Sequence, residues 1–165
     1  MIRIISECFA ETALLKVFSS YLNVVIDVQH EAGISNVAKS LQSANEGSDL
    51  LIGWIDNDKN AVPSYLKEFL VLVDKTDYQL KKHISKNQFL IVISPAIEKF
   101  ILNAVTRSQL KLYTFKIPDN LRELKKMTKK QTIETNLEFK TLVKELINHN
   151  ISPFPDLLEL LNSLE

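Results

Sequence analysis

Two runs constrain this chain most: DLLIGWID at residues 49–56 and QFLIVIS at residues 88–94. Each is short and nearly unbroken in its apolar character, so neither leaves a row of alternate polar residues to face water. Strands of this kind belong in a parallel sheet that helices cover on both faces. The neighbouring sequence supplies the helices. IRIIS at 2–6 reads as a short β-branched strand, and the stretch from Ala10 to Leu22 sets Leu14, Leu15, Phe18, Tyr21 and Leu22 at helical spacing. VVIDVQH at 24–30 reads as a second strand, and GISNVAKSLQSA at 33–44 as a helix with Ile34, Val37 and Leu41 on one stripe. In PAIEKFILNAV, after the run at 88–94, Pro95 suits a first helical turn.

The stretch from Ala61 to Lys86 gives mixed signals. VPSYLKEF can start a helix at Pro63, whereas LVLVDKTDYQLKKH combines strand and helix features, so it is assigned to neither. Beyond Arg107, the segments NLRELKKM, IETNLEFKTLVKELINH and FPDLLELLNSL carry leucines at three- and four-residue steps. Strand-helix alternation with right-handed crossovers predicts an α/β fold: a three-layer sandwich with a mostly parallel central sheet and a helical C-terminal extension. No repeat or low-complexity linker divides the chain. The expectation is one domain over 1–165, with its α/β core at 1–105 and its helical extension at 106–165.

Composition sets outer limits. With 165 residues, 45% of them hydrophobic, the chain can bury a sizeable core without a disulfide or structural metal. Cys8 is the only cysteine, which excludes an internal disulfide, and no CxxC or Cys/His cluster builds a zinc site. MIRIISECFAE has too short an apolar run for a signal peptide, and no stretch approaches the roughly 20 apolar residues of a membrane span. The expectation is a cytoplasmic protein that does not enter the membrane.

In a parallel α/β sheet, ligands bind outside the carboxyl ends of the strands. Glu7 follows the first strand, Asp56 and Asp58 end the third, and Glu98 lies just beyond the run at 88–94. All four are expected at one rim. In an extended segment, residues i and i+2 share a side about 7 Å apart, so Asp56 and Asp58 could serve one cation or flank two, with Asn57 facing away. Magnesium takes oxygen ligands, keeps several waters and uses one or two carboxylates with substrate phosphate. Glu7, Asp56 and Asp58 fit that demand. Each acid also has a plainer explanation: Asp-Asn-Asp forms turns readily, and Glu7 suits the positive end of a helix.

These residues resemble the Toprim domain, the metal-binding α/β fold of topoisomerases, bacterial primases, maturation nucleases and OLD-family nucleases. The carrying motifs are a glutamate after the first strand, in IRIISECFAETALL, and a DxD after the third, in LLIGWIDNDK. EAGISNVAKSL and ISPAIEKFIL further resemble small stand-alone Toprim-like bacterial proteins, and the likeness covers roughly residues 2–105. It implies Glu7 as the acid-base or metal-binding glutamate, and Asp56 and Asp58 as a magnesium-binding pair. It also implies Glu11, one helical turn after Glu7, as the extra metal-binding acid of the nuclease branch, and Glu98, with Ser94, as a ligand for a second metal. Cys8 stands where the family usually has glycine.

The resemblance therefore implies a Mg2+-dependent (or Mn2+-dependent) phosphoryl-transfer protein, a nuclease or phosphodiesterase acting on nucleic acid or another phosphate-containing substrate. Basic residues outnumber acids between 107 and 130 and could hold phosphates, although zero net charge argues against strong nonspecific DNA binding. The competing expectation is a noncatalytic Toprim-like binding or adaptor protein that meets a protein partner through its leucine-rich tail. A phosphoacceptor receiver fits less well, because the first strand lacks an acidic pair. His30, His83 and His149 are far apart and are expected at surface or core positions, while Trp54 is expected to pack in the sheet. Cys8 near a helix start suits a depressed pKa, but it lacks an evident histidine partner, so cysteine catalysis is not expected.

Overall fold

The computed structural model describes residues 1–44, 50–57 and 62–164. Its elements run β1 (Ile2–Ser6), α1 (Phe9–Phe18), β2 (Ile26–His30), α2 (Ile34–Ser43), β3 (Leu50–Asp56), β4 (Phe69–Asp74), β5 (Tyr78–His83), β6 (Gln88–Ile93), α3 (Ile97–Arg107), α4 (Leu121–Thr128), α5 (Leu137–Asn148) and α6 (Phe154–Ser163). The fold is α/β around a six-stranded sheet of order β2-β1-β3-β6-β5-β4. Strands β2, β1, β3 and β6 are parallel, while β5 and β4 join antiparallel at one edge.

The apolar runs at the centre of the sheet explain this arrangement. β3 is buried from Leu50 to Ile55 and β6 along its whole length. Alternate residues feed two separate cores, as the two-residue period of a strand requires. Ile4, Ile52 and Ile91 enter the larger core with α1 and α3, whereas Ile5, Leu51 and Leu90 enter a smaller one with Val37 and Leu41 of α2. In the register row Ile5–Gly53–Leu90, a Cβ on Gly53 would lie 2.8 Å from Leu41 Cδ1 and 2.9 Å from Leu90 Cδ1. Glycine thus lets α2 settle directly on β3.

The C-terminal helices share the larger core rather than standing apart from the sheet. Phe154 of α6 meets Phe18 of α1 at 6.1 Å and Phe100 of α3 at 5.4 Å between ring centroids, and Phe139, Leu142 and Leu146 of α5 are fully buried. No helix among the described residues is long and apolar enough to cross a membrane.

Four local expectations change. The unassigned stretch forms a 3-10 turn at Ser64–Glu68 followed by the β4–β5 hairpin. α1 stops at Phe18 because Tyr21 and Leu22 turn back to donate to its carbonyl. Pro95 precedes α3, in a cis peptide with Ser94, and the helix opens at Ile97, whose N–H is taken by Asp56. The helix expected from Ile133 begins at Leu137, because the Asn136 side chain accepts from the Phe139 N–H and caps it there.

Candidate active site at the sheet edge

The chain leaves β1 toward one side of the sheet and β3 toward the other. The crevice outside their carboxyl ends is therefore a topological switch point, where open α/β sheets bind ligands. Glu7 is the first residue past β1 and Asp56 is the last of β3. The Glu7 N–H donates to the Trp54 carbonyl at 3.0 Å, which carries the β1–β3 pairing to the rim. The Asp56 N–H in turn donates to Glu7 Oε2 at 3.2 Å. Two acids separated by 49 residues in sequence thus become neighbours through parallel pairing alone.

Backbone donors organise the carboxylates. Asp56 Oδ1 accepts from the Ile97 N–H at 2.8 Å, so one aspartate both ends β3 and opens α3. Glu11 reaches back from the first turn of α1 and accepts from the Glu7 and Cys8 N–H groups at 2.8 and 3.0 Å through Oε2. This is the glutamate half of a capping box. Its other oxygen, Oε1, is buried with no hydrogen-bond partner among the described residues. Burial, then repulsion from Asp56 and Glu7, pushes the Glu11 carboxyl well above its usual range. Three carboxylates therefore lie close enough to interact, and the innermost is hard to ionise.

Glu98 emerges from the first turn of α3 onto the same crevice. Its Oε1 accepts from the Thr128 hydroxyl at 2.6 Å, tying α3 to α4. Ser94, expected to act with Glu98, instead has its hydroxyl engaged by the Asn57 side-chain amide at 3.1 Å. Asp58 lies outside the described residues, and with it the two-residue geometry of the DxD pair. Cys8 caps α1, but burial, reinforced by Glu11, pushes its thiol well up rather than down. Burial beside carboxylates disfavours the thiolate that nucleophilic attack requires.

Glu7, Asp56 and Glu98 line a cavity of about 450 Å3 together with residues whose sequence context did not point there. His30, the last residue of β2, stacks on Phe9 with ring centroids 4.1 Å apart and planes 17° from parallel, and both line the cavity. The rule that locates Glu7 also locates His30, because both sit at carboxyl ends of parallel strands. α4 and its C-cap contribute Lys125, Thr128 and Lys129 to the lining, at a one-face spacing of three and four residues. Gly33, at φ +86°, opens α2 on the same cavity without a side-chain cap.

The basic stretch divides. Arg107 is committed to Asp77 by two hydrogen bonds of 2.7 Å, which raise its pKa, and Lys126 pairs with Glu123 at 2.7 Å. Lys125 and Lys129 are exposed, and no ion pair among the described residues engages them.

Among the described residues, no group of three or more His, Cys, Asp or Glu side chains is placed to hold a metal ion. The Glu7–Asp56 pair nonetheless offers the oxygen-only, two-carboxylate chemistry that suits magnesium, and Glu11 Oε1 beside it has no hydrogen-bond partner among the described residues. No family model, curated protein or solved structure matches the chain, so any function is read from the site itself.

Proposed function

We propose that the chain is a Toprim-like, Mg2+-dependent phosphoryl-transfer protein, a nuclease or related phosphodiesterase acting on nucleic acid in the cytoplasm. The observation that carries this reading is the meeting of Glu7 and Asp56 at the switch point, joined through the Asp56 N–H and backed by Glu11. The two cores fed by alternate strand residues support the three-layer arrangement that such a protein would have.

Asp56, Asp58 and Glu11 would hold Mg2+ (or Mn2+), with Glu98 as a ligand for a second ion. A bound magnesium ion supplies Lewis-acid polarisation of a phosphoryl oxygen and lowers the pKa of an attacking water. Glu7, whose carboxylate the Asp56 N–H orients, would serve as general base toward the attacking water. Lys125 and Lys129, which line the same cavity, attract the phosphate and offset its charge.

Asp56→Asn tests this reading, because the amide keeps an oxygen for the Ile97 N–H while the charge is lost. Mg2+-dependent cleavage of DNA or RNA by the wild type, falling at least about a hundredfold in the variant, is the expected result. Cleavage indifferent to both changes would contradict it. The second reading is a noncatalytic Toprim-like binding or adaptor protein, favoured by the lack of a three-ligand group among the described residues. Partner capture unaffected by Asp56→Asn would support it.

A further inference from the structure

Three chemically distinct groups line the cavity, and the acids are only one. Lining the same cavity as Glu7 and Asp56 are Lys125 of α4 and Lys129 at its C-cap, four residues apart on one face, on either side of Thr128, which is bonded to Glu98. Beside them is the start of α2, where Gly33 provides no side-chain cap and no acid occupies the first turn. The first-turn N–H groups of α2, which no side chain caps, and two ammonium groups in no ion pair among the described residues together favour an anion. The third group is the Phe9–His30 stack, half-buried with its ring planes nearly parallel. An imidazole stacked on phenyl contributes little to a cluster of acids, but its flat π surface suits a nucleobase.

Size narrows the occupant further. About 450 Å3 lies at the small-ligand end of pocket volumes, roughly 300–1,000 Å3, so the cavity cannot enclose a duplex. A base can enter such a pocket only from a single strand or after leaving its helix.

We infer that this cavity takes one unpaired nucleotide of a single-stranded nucleic acid, its phosphate between Lys125, Lys129 and the start of α2, and its base against the Phe9–His30 stack. The nucleotide site rests on the phosphoryl-transfer reading for its purpose, since it would bring a phosphodiester to Glu7 and Asp56, but its binding needs no metal. The size of the cavity and the Phe9–His30 stack thus set the preference for strand over duplex, while the two lysines add affinity for phosphate.

Fluorescence anisotropy of the full chain with a labelled short DNA strand, the matching RNA strand and the DNA duplex, all in EDTA, tests the site apart from catalysis. One or both single strands should bind at least about tenfold more tightly than the duplex, and which one binds identifies the natural sugar. His30→Ala should weaken strand binding about tenfold and His30→Phe should restore it, because base stacking needs a ring rather than a proton. Lys125→Ala/Lys129→Ala should lower the salt slope by about 0.7 for each phosphate that the missing ammonium groups no longer neutralise. Equal or tighter binding of duplex, binding of none of the three, or strand affinity unchanged by His30→Ala would overturn the inference. Cleavage in Mg2+ is scored separately. Strand binding without cleavage keeps the nucleotide site and removes the phosphoryl-transfer reading, whereas duplex cleavage without strand preference does the reverse.

Discussion

Glu11 shows how one side chain can serve the fold and oppose it together. Its Oε2 satisfies two N–H groups at the start of α1, while its charge is buried beside Asp56 and Glu7. Because the folded chain holds this proton more tightly than the unfolded chain, where the carboxyl titrates near 4.5, stability should fall as pH rises above that value and level off once the folded group has ionised. Denaturation midpoints over a pH series should therefore slope downward in the wild type and flatten in Glu11→Gln. Identical slopes would assign the pH dependence to other groups. Glu11→Ala removes the acceptor as well as the charge, and should cost about 1–3 kcal/mol in urea denaturation at a pH where the wild-type carboxyl is protonated. Glu7 and Asp56 were legible as candidates because each ends an evident strand. The role of Glu11 as a capping acceptor was less so, because its turn depends on where α1 begins.

At the scale of elements, legibility followed burial. β3 and β6 are covered on both faces and announce themselves as unbroken apolar runs, but β4 exposes Leu70, Val71 and Leu72 at the sheet edge and shifts register between Val71 and Val73. Neither strand nor helix period survives that irregularity. Gly53→Ala should destabilise the protein by about 1–3 kcal/mol, measured by urea denaturation, because its Cβ must displace Leu41 and Leu90 between α2 and β3. No change would mean that these leucine ends move aside freely. Thr128→Val keeps the shape of α4 but leaves the buried Glu98 carboxyl without its donor, and should cost about 1–3 kcal/mol by the same measurement. The helical pattern of α4 was readable in its sequence. Its position over the crevice was not, since that follows from packing against α3 and a long-range hydrogen bond.

For the whole molecule, parallel pairing, the crossover arrangement and the C-terminal helices converge on one rim. β1 and β3 bring Glu7 to Asp56, β2 ends at His30, and α4 and its C-cap add Lys125 and Lys129 to the lining. Phe154 secures the C-terminal helices to both α1 and α3, so Phe154→Ala should lower stability by about 3–5 kcal/mol in urea denaturation. A loss below about 1 kcal/mol would separate those helices from the core energetically. The alternation of strands and helices made this sheet edge foreseeable, whereas the meeting of its acidic, cationic and aromatic groups depended on tertiary packing. The central claim is that the carboxylates at the switch point bind a divalent cation. Calorimetric titration of Mg2+ into the wild type and Asp56→Asn tests it most directly. Saturable binding in the wild type, weakened at least about tenfold in the variant, is the predicted result; no saturable binding in the wild type, or identical isotherms for the two proteins, would contradict it.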